Sequence, residues 1–360
     1  MATHVMDLTR RPPRAAVSVE ASLPAELLVQ LIAFESPESA PTYDAGSALF
    51  DRVRTEASNG LLATLGHDAD HPRSPWGNLL GLALRPPLPH DVAGFLRRIE
   101  ETPPRDLWLM MAGARIPSVR ETVGEATYGA AADGDPTARD ELLGSMRDND
   151  EPWPCLPVIL ELRPDELRTR LLTVLGRWHE EVFASTEAET RRILERDVRA
   201  KHALKPGMTR DVFIEFATNG LELGDEWWTS RIVLVPHVSM RPWNVLAADG
   251  DTSIICYPAA DQSFNEDPDA PPPRLLRLHK ALGDEKRLRI LKILARSPAG
   301  LPELSEAIGL AKSTTHHHMV VLRSAGLIRT TTDPEVRYTL RGDAMPEAGA
   351  LLSAFLGGTP

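Results

Sequence analysis

The stretch LPELSEAIGLAKSTTHHHMVVLRSAGLI, residues 301–328, leaves the backbone few choices. Leu301, Leu304, Ala307 and Ile308 recur at helical spacing, and Gly309 stands where a helix ends in a left-handed residue. Gly309-Leu310-Ala311 is long enough only to turn, and a helical pattern resumes through Thr315, Met319 and Leu322. Two helices joined by so short a glycine-bearing turn make a helix-turn-helix, whose second helix is shaped to enter the major groove of DNA. Upstream, RLLRLHKAL and DEKRLRILKILARS are both amphipathic and are separated by Gly283, with Asp284 at an N-cap position. Downstream, GLIRTTTDPEVRYTLR reads as two strands about Asp333-Pro334-Glu335, with Val336, Tyr338 and Leu340 alternating against Arg337, Thr339 and Arg341. A basic hairpin in that place is a wing.

Three consecutive histidines, His316, His317 and His318, lie in the second helix. At about 100° per residue, with Thr315, Met319 and Leu322 inward, the exposed face is centred on Ser313, His317, Val320 and Ser324. His317 then points at the groove, His316 lies on a flank, and His318 leans toward the core as a packed, hydrogen-bonded side chain. Successive helical residues diverge, whereas ligands of one ion need a spacing of three or four, so the triplet reads as recognition rather than metal binding. The expected base or phosphate contacts are Lys312, Ser313, Thr314, His316 and His317, with Arg329 and Arg337 on the wing.

Charge supports this division. Residues 274–342 hold 13 basic against 6 acidic side chains, a local +7, so the rest of the chain carries −18 within an overall −11. The boundary is the segment 258–273, with four acidic residues and five prolines, read as a linker. LGDEKRLRILKIL, then LSEAIGLAKSTTHHHMVVLRSAGLI and a hairpin, resemble in that order the winged-helix domain of ArsR/SmtB-type transcriptional regulators. The resemblance implies a homodimer on a palindromic operator, paired through the first and last helices of the module. Leu351, Leu352, Phe355 and Leu356 would supply an apolar face on the last of these. It also implies a serine where Ala311 stands, leaving Ser313 to cap the helix instead. Many such regulators carry a metal-binding cysteine pair in the helix before the turn, but Leu301-Pro302-Glu303-Leu304 offers no soft ligand. Others use Asp and His on the last helix, and DAMPEAGALLSAFLGG has no histidine. Neither metal nor cofactor is expected.

Residues 1–257 form an N-terminal part of uncharacterised type. VSVEASLPAELLVQLIAF reads as a short strand through Val17 and Val19 running into a helix capped by Ser22, and Leu167, Leu171, Val174, Leu175, Trp178 and Val182 form one helical stripe. Thr186 and Glu189 have capping-box spacing for a following helix. RIVLVPHV, WNVLAA and TSIICYP read as a small sheet. The expected fold is therefore α+β and mostly helical: an N-terminal helical domain with a small β-sheet over 1–257, and a winged helix-turn-helix domain over 274–360. Cys155 and Cys256 have neither disulfide-framework nor metal-ligand spacing, and no stretch has the apolar length of a signal peptide or a membrane span, as expected of a cytoplasmic protein. HDADH, His67 to His71, is the best metal candidate but reads more simply as a polar loop. No G-x-S-x-G, P-loop, dinucleotide fingerprint or H-E-x-x-H occurs, so no enzymatic activity is expected. Trp227, Trp228 and Trp243 cluster near the sheet and are candidates for a ligand cavity. The favoured reading is a DNA-binding regulator controlled through its N-terminal domain by a small-molecule or protein effector. A protein-interaction scaffold localised by a DNA-binding module, and an enzyme fused to its own regulator, remain alternatives.

Overall fold

The computed structural model describes residues 15–65, 76–117, 120, 123–147, 156–223, 229–264, 271–331, 336–342 and 344–357. At the centre of the N-terminal part is strand β2 (Arg231–His237), every residue of which from Ile232 onward is buried. Its run of apolar residues without alternation suits a strand covered on both faces. Strands β1 (Ala16–Val19) and β4 (Thr252–Pro258) pair with it in parallel, β3 (Val245–Asp249) pairs antiparallel to β4, and the order is β1-β2-β4-β3. Val233, Val235, Ile254 and Cys256 face one core, while Ile232, Leu234, Ile255 and Tyr257 face another with Phe213 and Ile214.

The first core is enclosed by α1 (Leu23–Phe34), α2 (Ala48–Glu56), α3 (Asn59–Leu65), α4 (Leu80–Ala83), α5 (Val92–Glu101), α6 (Pro104–Met111), α7 (Glu125–Ala132), α8 (Pro136–Arg147), α9 (Leu156–Glu161) and α10 (Pro164–Trp178). The second is covered by α11 (Ala184–Leu204) and α12 (Arg210–Ala217). Ser22 caps α1 by accepting from the Ala25 N–H at 3.2 Å. All six residues of the stripe from Leu167 to Val182 are buried. No new helix starts at Thr186: α10 runs through a π-turn, His179–Phe183, straight into α11. Burial of Val182 and Phe183 keeps that turn wound, and the Thr186 hydroxyl donates to the Phe183 carbonyl at 3.2 Å instead of capping. Among the described residues no helix is long and apolar enough to cross a membrane.

The C-terminal module has its own core. Helices α13 (Pro273–Leu282), α14 (Glu285–Leu294), α15 (Leu301–Ile308) and α16 (Lys312–Ser324), strands β5 (Ile328–Thr331) and β6 (Arg337–Leu340), and α17 (Ala344–Phe355) surround Leu278, Ile290, Leu304, Met319, Leu322 and Ile328. Asp284 accepts from the Arg287 N–H at 2.9 Å and so caps α14. Gly309 ends α15 at φ 67°, a value that a side chain would strain. The turn between β5 and β6 lies outside the described residues. The segment joining the two parts is packed at its start. Ala259 and Ser263 are buried, and fully buried Asp197 of α11 accepts from the Tyr257 hydroxyl (2.6 Å), the Ala260 N–H (2.7 Å) and the Ser263 hydroxyl (3.2 Å). Asp261 in turn accepts from the Arg274 N–H at 2.8 Å, at the start of α13.

Two buried titratable groups sit where β2 ends. Glu26 of α1 accepts from the Val238 N–H (2.8 Å), the Ser239 N–H (3.0 Å) and the Ser239 hydroxyl (2.6 Å), yet burial outweighs these bonds and pushes its carboxyl up to about 7. His237 donates from Nε2 to the Trp243 carbonyl at 2.8 Å, and burial pushes it down to about 4. The unfolded chain releases the Glu26 proton near 4.5, so this group's contribution to stability is full below that pH and is lost as pH rises through about 7. His237 works the other way, contributing fully above 6.5 and losing its contribution as pH falls through about 4. Glu26→Gln should remove the decline in melting temperature that Glu26 causes between pH 4.5 and about 7, measured by calorimetry across that range.

Candidate nucleic-acid interface

Helix α16 begins at Lys312, with Ala311 as N-cap residue and no side chain bonded to the end. Ser313 does not take over as cap, because the helix has already started one residue before it. The N–H groups of the first turn therefore stay available beside the Lys312 ammonium, a donor set suited to a phosphate. Thr315, Met319 and Leu322 point into the module's core, and the Thr315 hydroxyl donates to the Ala311 carbonyl at 3.1 Å. Lys312, Ser313, Thr314, His316 and His317 are exposed. His318 is largely buried, and its Nδ1 lies 3.9 Å from Asp284 Oδ1, beyond hydrogen-bond reach. Burial lowers its pKa against the opposing pull of Asp284. The His317 and His318 ring centroids are 6.4 Å apart and inclined at 60°. Among the described residues no three of His, Cys, Asp and Glu converge as metal ligands. His67 to His71, Trp227 and Trp228 lie outside the described residues.

The wing arginines are both occupied. Arg337 pairs with Glu303 of α15 at 3.0 Å. Arg329 turns away from the module and pairs with Glu215 of α12 at 2.5 Å and with Glu222 at 3.2 Å, both in the N-terminal part. The same seam carries a parallel bridge between Leu221 and Thr330, and a hydrogen bond from Arg341 to Asn219 at 3.1 Å. Here Gly326 has φ 67°, which a side chain would strain, and a Cβ would also displace the Asn219 amide, whose Oδ1 would lie 2.6 Å away.

A second contact falls on the recognition helix itself. The 3-10 turn Pro37–Thr42 packs against α16, and between them lies a cleft of about 470 Å³ lined by Ser36, Thr42, Tyr43, Trp243, His316, His317, Val320 and Arg323. Arg323 lies over the Trp243 ring, 4.8 Å from its centroid, and Trp243 Nε1 donates to the Thr42 hydroxyl at 2.8 Å. Trp243 thus faces His316 and His317 across the cleft. A helix about 10–12 Å across fills a major groove about 12 Å wide, which leaves no room for a second segment along its flank. Glu215, Glu222, Asn219 and Arg323 escaped the sequence reading because their partners lie about a hundred residues away and no local pattern marks them.

The module's origin follows from its sequence as well as its elements. The model of the family described as bacterial regulatory protein, arsR family, matches residues 284–330, from the cap of α14 through the recognition helix into β5. The C-terminal part is therefore an ArsR-type helix-turn-helix module, and the chain is a DNA-binding transcriptional regulator. Among solved structures, NolR from Sinorhizobium fredii is 27% identical over 24% of this chain and 87% of its own, with a TM-score of 0.20, too low to bear on the fold. No curated protein has a sequence that matches the chain.

His317→Ala should weaken DNA binding with little change in melting temperature, because the side chain is exposed. Leu322→Ala, at a fully buried position, should destabilise the module by about 2–5 kcal/mol. Denaturation and DNA titration of both variants check the pair of outcomes.

Proposed function

We propose that the chain acts as a homodimer on a palindromic operator, and that its N-terminal part controls access to DNA in response to a ligand or partner. The observation that carries the control is the double engagement of the reading surface. Arg329, a wing cation suited to a phosphate, instead holds two carboxylates, while the turn Pro37–Thr42 lies along the flank of α16. In this arrangement the groove cannot close around the helix. Binding DNA requires the module to leave the N-terminal part, so an effector that favours one arrangement changes operator affinity.

Dimerisation finds support in the exposed apolar residues of α13 and α17. Leu276 of α13 is 54% exposed, and Met345, Leu352 and Leu356 at or near α17 are 39%, 36% and 72% exposed. The terminal helix divides its apolar residues: Leu351 packs partly on the module's core, while Leu352 and Leu356 stay in solvent. Apolar side chains left out on two adjacent helices suit a second copy.

Duplexes selected from a randomised pool should bind the full chain with an affinity that falls as salt rises. Glu215→Gln with Glu222→Gln should then raise affinity on the order of fivefold, since each half-exposed ion pair holding Arg329 contributes about 0–1 kcal/mol to the docked form. Unchanged affinity in the double variant would remove the control reading. Leu276→Glu with Leu356→Glu should convert the protein to a monomer in sedimentation and weaken its hold on two-half-site DNA.

A further inference from the structure

A cavity of about 630 Å³ opens where α11 and α12 meet α13 and α17, in the size range of small-molecule sites. The ammonium of Lys201 faces it from a side chain only 6% exposed. Its one ionic neighbour, Asp197, stands 3.7 Å away and already accepts from Tyr257, Ala260 and Ser263. Among the described residues no acceptor lies within hydrogen-bond distance of that ammonium. It rests against π-faces, 5.1 Å from the Phe216 centroid and 5.6 Å from that of Tyr257. An ammonium held on a mostly apolar wall, with its carboxylate 3.7 Å away and its donors open to the cavity, is placed to take an anion from it.

The surrounding wall fits the same ligand. Arg241, held by Asp44 and Asp261 and stacked 4.2 Å over Phe264, and Arg277, paired with Asp44 at 2.5 Å, have their charges met within the wall, so Lys201 is the cation that faces the cavity with a carboxylate beyond hydrogen-bond reach. Asp261 is the carboxylate on this wall, already engaged by Arg241 and by the Arg274 N–H. Phe216, 46% exposed, and Phe355 give apolar surface on opposite parts of the chain. We propose that this cavity binds an organic anion with a flat apolar body, its carboxylate meeting Lys201 and its body lying against the phenylalanines. Because both parts of the chain build the wall, the anion holds the module docked and lowers affinity for DNA. That second step rests on the control reading above, whereas the binding step stands without it.

The probe is 2-naphthoate, titrated calorimetrically into the full chain beside its neutral counterpart 2-naphthamide. The expected result is one site per chain, with the amide at least tenfold weaker and Lys201→Met reducing carboxylate affinity at least tenfold. Ala354→Trp, at an exposed α17 position on the cavity wall, should abolish binding without lowering the melting temperature. That variant decides the matter should the Lys201 change unfold the protein by stranding Asp197. Absence of 2-naphthoate binding, equal binding of the amide, or binding untouched by Ala354→Trp overturns the site. Saturating 2-naphthoate should also weaken DNA binding at least fivefold in the unmodified chain. Stoichiometric, Lys201-dependent binding with unchanged DNA affinity overturns the effector role alone. A chain that binds 2-naphthoate but no duplex at any salt keeps the site and overturns the regulator reading.

Discussion

A carboxylate with no exposure to water holds the two halves of this protein in register. Asp197 gathers the Tyr257 hydroxyl, the Ala260 N–H and the Ser263 hydroxyl, and so folds the chain leaving β4 back onto α11. Three donors satisfy an anion that would otherwise be prohibitive to bury. The ordered segment presents Asp261, which takes Arg241 on one side and the first turn of α13 on the other. What composition describes as a loose acidic tether is at this end a fixed joint. The placement of the winged module, the seam at Arg329 and the cavity beside Lys201 all depend on it.

A joint of that kind changes how control works. A freely tethered module would meet DNA whatever the other domain did, whereas a docked one must leave its seat first. If docked chains outnumber free ones a hundredfold, apparent operator affinity falls about a hundredfold, and a ligand that prefers either form moves it from there. The seam has the right magnitude for such a balance. Arg329 is ionic but partly hydrated, the Arg323–Trp243 contact is a single cation–π pair, and the Pro37–Thr42 turn is short. Contacts of this sort, each about 0.5–1 kcal/mol, sum to a few kcal/mol and leave both forms within reach.

How much of this the residues reveal by themselves depends on distance along the chain. The caps at Ser22 and Asp284, the left-handed stop at Gly309 and the inward set Thr315, Met319 and Leu322 are local, and each is legible because propensity and periodicity act over a few residues. The β-branched runs after Arg231 announce strands, but not that β1 joins them from over two hundred residues away in parallel. Thr186 and Glu189 have the spacing of a helix start, yet buried Val182 and Phe183 carry α10 through a π-turn, and tertiary packing overrides the local signal. The wing shows the same limit most sharply. The basic hairpin marks Arg329 as a wing cation, but its side chain turns to Glu215 and Glu222 of the N-terminal part.

The opposite charges of the two parts acquire a physical role in this arrangement. A domain carrying most of the chain's negative charge cannot rest against a duplex, so the acidic part must lie away from DNA whenever the module is bound. The same charge draws the basic module back once DNA is absent. Salt weakens both attractions, because in the proposed exchange Arg329 trades carboxylates for phosphates and screening acts on each. Opening the seam becomes easier with rising salt while holding DNA becomes harder, and the two effects partly cancel in the intact chain. Under the proposed control, salt therefore shifts the balance less than it would for a free module.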